Sequence, residues 1–253
     1  MENETPKTYN VIELCLLAGK LMLESGAETN RVEDTMMRIA ASYGIGRTHS
    51  YVTPTGIIFS VEGQGEPTKL IRISDRTTDL HKVSVVNSIS REISTGTVPV
   101  EEAFKRLKEV ETDSMTYPVR IQVLAASIAS GCFLFLSQGG WSDFFPALIT
   151  SGIGFSCFIY FHRIVRVKFL AEFLASLIIA LIAYAFVTKG LGNEIDKIII
   201  GSLMPLVPGL LITNAVRDLM SGHLISGLAK GADAFLTAFA IGAGVAAVIF
   251  TVL

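Results

Sequence analysis

Residues 169–187 read FLAEFLASLIIALIAYAFV, a run with few charges and close to the length that a helix needs to cross a bilayer. Roughly 20 apolar residues cover the hydrocarbon core. Working outwards, the runs 119–137, 144–161, 198–216 and 232–251 meet the same requirement. Residues 1–113, by contrast, are dense in Glu, Asp, Lys and Arg. The sequence therefore predicts an α-helical integral membrane protein of about five transmembrane helices. Its spans fill 116–253, and an N-terminal soluble α+β domain fills 1–115.

Composition points the same way. Half of the 253 residues are hydrophobic and 17% are charged, against about a quarter charged in a soluble domain. A net charge of −2 excludes a strongly basic nucleic-acid binder. Cys15, Cys132 and Cys157 lack the spacing of a zinc site, and two of them sit in apolar runs as small hydrophobes. The start, MENETPKTYN, has no basic and apolar signal-peptide regions, so the N-terminal domain is expected in the cytoplasm. His49, His81, His162 and His223 are scattered, and no GxSxG, HExxH, Walker or Rossmann pattern occurs. The expectation is no enzyme, no cofactor and no metal.

Within the soluble domain, residues 10–25 place Ile12, Leu16 and Leu23 on one helical stripe, with Leu17 and Leu21 alongside. Gly26 offers a left-handed stop. A second helix is expected near Asn30, where Asn30 and Glu33 form a capping-box pattern and Val32, Met36 and Ile39 continue the apolar face. Residues 50–62 read as one or two strands interrupted at Pro54 and Gly56, and 69–74 as another, with a hairpin turn at 63–67. Helices follow over 79–93 and 100–110, with Pro99 suited to the first turn of the latter. Glu24, Glu28, Arg31, Glu33, Asp34 and Arg38 form a charged cluster that reads more readily as a solvated face than as an active site.

Basic residues orient the spans. The loop at 138–143 has no Lys or Arg, whereas the next carries Arg163, Arg166 and Lys168. With Arg120 at the start, this places the N-terminus inside and Trp141 at the outer interface. Later loops, with Lys189 and Lys197 and then Arg217 and Lys230, say little.

The fourth run is unlike the others. It reads IIIGSLMPLVPGLLITNAVRDLMSGHLISG from 198 to 227. Pro205 and Pro208 each remove a backbone donor, and Gly201 and Gly209 loosen the helix around them. Such breaks persist at membrane depth where the freed polar groups line a cavity, and in transporters they often form the substrate site. Asn214 and Asp218 follow on one helical face with Arg217 beside them. These charges form either an interfacial pair or part of a pathway. His223 and Asp233 read as interfacial. In the last span Ala234, Ala238, Gly242 and Ala246 form a ridge for close packing, either within the chain or against a partner.

ESGAETNRVEDTM at 24–36, the strand region SYVTPTGIIFSVE and PLVPGLLITNAVRDLMSGHLISGLAKGADAFLTA at 205–238 resemble the threonine/serine exporter family. The resemblance covers nearly the whole chain in the same order. It implies a multi-pass inner-membrane secondary transporter that exports threonine or serine along an ion gradient. Some members of that family are one long chain, and others are split. The chain is similar to the large subunit of the split form, for which export of a dicarboxylate, succinate, is proposed. The implied partners are the lipid bilayer, the small-molecule substrate, and a small membrane subunit or a second copy of the chain. Candidate substrate-binding residues are Pro205, Pro208, Gly209, Thr213, Asn214, Arg217 and Asp218. A membrane-anchored sensor without a transport path is the competing expectation.

Overall fold

The computed structural model describes residues 4–62, 68–113, 116–165 and 167–252. It divides into two compact units, one of Met1–Thr116 with Ile212–Gly231 and the other of Tyr117–Leu211 with Ala232–Leu253.

In the first unit, α1 (Glu4–Glu24) is apolar over most of its surface from Val11 to Leu23, and Ile12, Leu14, Cys15, Ala18 and Met22 are fully enclosed. A helix of that kind belongs at a centre rather than on a surface. The stripe expected from the sequence is thus part of a wider buried surface, and Glu13 and Lys20 mark the side that reaches solvent. Gly26, at φ +89°, turns the chain away from α1. In α2 (Thr29–Ser42), Val32, Met36 and Ile39 are buried as expected. Gly19 admits Met36, whose Sδ would stand 2.4 Å from a Cβ added there.

Three strands, β1 (Thr48–Thr53), β2 (Gly56–Val61) and β3 (Lys69–Arg72), pair antiparallel in that order. Thr53 lies opposite Gly56, so Pro54 and Thr55 make a hairpin turn and the interrupted run is two strands. The turn expected at 63–67 lies outside the described residues, and the strands flanking it pair, with Phe59 opposite Lys69. Val52, Ile57 and Phe59 are buried in the core. Two helices complete this part. For α3 (Leu80–Ser94), Asp79 Oδ1 accepts the Lys82 N–H at 3.0 Å as a cap. For α4 (Val100–Thr112), Pro99 stands one position ahead of the first turn.

Burial pushes the Cys15 thiol up to about 12. Because the thiolate is the reactive form, a maleimide at neutral pH should leave Cys15 unlabelled in the folded protein and label it after unfolding. Peptide mass spectrometry would show this, and labelling of the folded chain would mean that this core opens readily.

The second unit holds α5 (Val119–Leu136), α6 (Trp141–Ile164), α7 (Lys168–Thr188) and α8 (Ile195–Leu203), the last extended by a 3-10 turn at Met204–Leu206. The chain breaks at Val207 and Pro208 and resumes as α9 (Gly209–Met220), bent by 61°. The last helix is α10 (Leu224–Val252). Among the described residues four helices, α5, α6, α7 and α10, are long and apolar enough to cross a membrane, and the broken pair makes five if counted as one span.

Polar contacts put the connections of the second unit at a common end. Lys197 Nζ donates to Ser137 O at 2.7 Å, and the Asn193 N–H donates to Asp143 Oδ1 at 2.6 Å. The α5–α6 and α7–α8 connections therefore meet, as alternating spans require. Leu206 packs with Ala175, Ile179 and Ile241. Ala175 and Ile179 bracket the middle of α7, so the break at Pro208 comes two residues after a side chain level with that middle.

On α10 the face that packs within the chain is not the ridge of small residues. Ala234, Thr237, Ile241, Gly244 and Val248 form its buried face, while Ala238 and Gly242 are exposed. The close approach is made by Gly244, where an added Cβ would stand 2.4 Å from Phe173 O and 2.1 Å from Ser176 Oγ.

Candidate functional site

The first unit joins Met1–Thr116 to Ile212–Gly231. After α9 the chain turns at Gly222, with φ +85°, and the His223 N–H donates to Asp218 O at 2.8 Å. α10 then passes close to α9, because Gly227 lets it: a Cβ there would lie 3.0 Å from Ala215 O. This tight corner carries Lys230 back to Asp218.

Asp218 is completely buried. Its Oδ1 accepts the Thr29 N–H at 3.0 Å, and its Oδ2 accepts the Thr29 hydroxyl at 2.8 Å. Lys230 Nζ lies 2.8 Å from Oδ2, and the two side chains are 6% and 0% exposed. The same ammonium reaches Ala27 O at 3.3 Å and Thr29 Oγ1 at 3.4 Å. A buried charge is tolerated when it is both paired and hydrogen-bonded, and here both conditions hold.

The arrangement also settles how α2 begins. The expected capping box is not formed: α2 starts at Thr29, and the Glu28 side chain at its N-cap makes no capping bond. Asp218 supplies the cap from 189 residues away. A carboxylate at a helix N-terminus satisfies an orphan N–H and meets the positive end of the helix dipole. Glu33 is released for another task and accepts the Val52 N–H at 2.9 Å.

Further bonds fasten the corner. Asn214 Nδ2 donates to Gly26 O at 2.9 Å, and Ser226 Oγ donates to Val52 O at 3.0 Å. Arg217 pairs with Glu28, not with Asp218. His223 Nε2 stands 3.8 Å from Glu33 Oε2. Burial pushes the Glu33 carboxyl above its usual range, the Val52 N–H and His223 oppose this, and the Asp218 charge adds to it.

Of the residues singled out from the sequence, Thr213, Asn214, Arg217 and Asp218 belong to this unit. Asn214 and Asp218 share its buried face. Pro205, Pro208 and Gly209 belong to the other unit, where they make the break. Asp233 also lies in that unit, and His223 joins the corner. Thr29 and Lys230 were not expected. Lys230 stands beside an apolar run and reads as a loop cation, although α10 already begins at Leu224. The charged cluster of the first helices is divided: Arg38 pairs with Asp34 on the surface, Glu28 lies between Arg31 and Arg217, and Glu24 lines a separate cleft of about 260 Å³ with Asp79, Lys82 and Glu111. Among the described residues no group of His, Cys, Asp and Glu could hold a metal ion.

Over residues 13–252 the chain matches the family described as "Putative threonine/serine exporter". It is 26% identical to the "Probable succinate transporter subunit YjjP" of Klebsiella aerogenes, over 97% of this chain and 95% of that protein. It is also 26% identical to the "Threonine/serine exporter" of Corynebacterium glutamicum, over 93% of this chain and 50% of that protein. For the "Probable threonine/serine exporter" of Mycobacterium tuberculosis the identity is 26%, over 91% and 44%. The chain thus spans about half the length of the last two. No solved structure matches it.

Proposed function

Since this chain belongs to the threonine/serine exporter family, we propose that it is a secondary transporter subunit of the inner membrane that exports threonine and serine. Family membership implies transport rather than catalysis, and four or five apolar helices of spanning length support a membrane location. The observation that carries the reading is the Asp218 corner, a built polar site reached directly after a broken membrane helix. In this scheme the break at Pro205, Pro208 and Gly209 frees backbone groups at membrane depth. Thr213 offers a hydrogen bond, Asn214 offers its side-chain oxygen while its Nδ2 holds Gly26 O, and Arg217, with 59% of its side chain exposed, attracts a substrate carboxylate. Asp218 holds the corner in register through Lys230 and Thr29.

The basic loop at Arg163 and the bare loop before Trp141 support a cytoplasmic location for the N-terminal residues. A second reading, dicarboxylate export as one subunit of a two-chain transporter, has its own support. The chain matches the succinate transporter subunit along nearly its full length, but only half of each exporter named above. A small membrane subunit would be its partner.

Efflux of labelled threonine, serine and succinate tests both readings, in cells making this chain with and without a small membrane partner. Arg217→Ala should lower the flux at least tenfold at equal membrane abundance, since a charge-assisted bond contributes about 1.5–3 kcal/mol. Wild-type flux from that variant would remove Arg217 from the scheme, and no flux of any solute would leave the sensor reading.

A further inference from the structure

Arg217 does not stand alone. Its Nη1 pairs with Glu28 Oε1, and Glu28 Oε2 lies 3.9 Å from Arg31 Nε. One carboxylate is thus flanked by two guanidiniums. The side chains of Arg217 and Arg31 are 59% and 52% exposed, while that of Glu28 is 20% exposed. A guanidinium has five donors in a planar fork, so each keeps an open edge towards solvent after meeting Glu28. The N-terminus of α2 adds partial positive charge, while the neighbouring Asp218 is already paired with Lys230. The trio offers a fixed negative charge set between two cations, all side by side.

We infer that Arg217, Glu28 and Arg31 form a recognition site for a zwitterionic amino acid, in which Glu28 sets the specificity. The inference rests on the transport reading and adds to it the residue that selects the substrate. An α-amino acid carries an ammonium and a carboxylate one carbon apart. Its carboxylate takes the open edge of a guanidinium, and its ammonium takes Glu28. A dicarboxylate brings two negative charges to the same place and gains the guanidiniums only by displacing Glu28 or facing it. Discrimination of this kind works through the unfavourable contact as much as the favourable one. Arg31, read from the sequence as part of a solvated face, becomes a second anchor.

The test is binding of threonine and of succinate to the purified full chain in detergent, by calorimetry, for the wild type and Glu28→Gln. Glutamine keeps the shape and removes the charge, and the Glu28 side chain makes no capping bond to α2, so folding should be retained. Wild type should prefer threonine. Glu28→Gln should weaken threonine at least about tenfold and shift the preference towards succinate. Glu28→Asp, which keeps the charge, should retain the wild-type order. The same preference in wild type and Glu28→Gln, or binding of neither solute, would overturn the inference and make the trio an ordinary surface ion pair. Efflux from the same cells separates the two failures: wild-type flux that persists with an unmoved preference sinks only the role of Glu28.

Discussion

Asp218→Ala should destabilise the first unit by about 3–5 kcal/mol, the usual cost of removing one partner from a buried ion pair. Three losses combine. The Lys230 ammonium, 6% exposed, would keep only Ala27 O and Thr29 Oγ1 as partners. The Thr29 N–H would lose its acceptor and α2 its cap, itself a loss of roughly 1 kcal/mol. The Thr29 hydroxyl would also lose its acceptor. Chemical denaturation of the detergent-solubilised chain, followed through labelling of Cys15, would measure the change. The partner variants give the expectation its shape. Lys230→Met alone strands the Asp218 carboxylate and should cost nearly as much. Asp218→Asn with Lys230→Met removes both charges and keeps an acceptor for α2, so it should recover most of the lost stability. If Asp218→Ala cost less than about 1 kcal/mol, the pair would not hold the corner.

Gly244→Leu should do comparable damage in the second unit, for a steric reason. A Cβ at this position meets Phe173 O at 2.4 Å and Leu177 N at 3.1 Å, both backbone atoms of α7, besides Ser176 Oγ at 2.1 Å. A flexible side chain can swing aside, but a helix backbone cannot without moving its whole packing face. Forcing extra atoms into a packed interface costs about 1–3 kcal/mol and sometimes more. Reduced membrane yield and a lower unfolding temperature are the expected readings. Gly242→Leu is the control: nothing lies within 4 Å of a Cβ there, so that variant should behave as wild type. Equal loss in both would mean that contact with α7 does not decide the effect, since leucine is the better helix former at either position.

The contrast between Gly242 and Gly244 shows where reading the sequence stops. Both glycines belong to an apolar helix, and a four-residue repeat of small side chains runs through Gly242. Periodicity along a helix says which residues share a face, but not which face meets a neighbour. The buried face uses Ala234, Thr237, Ile241, Gly244 and Val248 instead. The same limit affected Lys230. Hydropathy averages over a window, and a lysine next to glycines looked like a loop until the helix from Leu224 carried it inwards.

Properties set by neighbours along the chain are legible without coordinates. Apolar runs of spanning length, the strand pattern before Gly63, the stop at Gly26 and the break at Pro208 all follow from local sterics and local solvation. The tertiary structure alone decided which charge meets which. Asp218 was legible as a notable carboxylate, but its partners Thr29 and Lys230 were not, and neither was the pairing of Arg217 with Glu28. A charged side chain carries no address. Its partner is chosen when the corner at Gly222 and the turn at Gly26 bring residues 189 apart within hydrogen-bond reach. Burial then makes that choice strict, because a charge removed from water without its partner costs several kcal/mol.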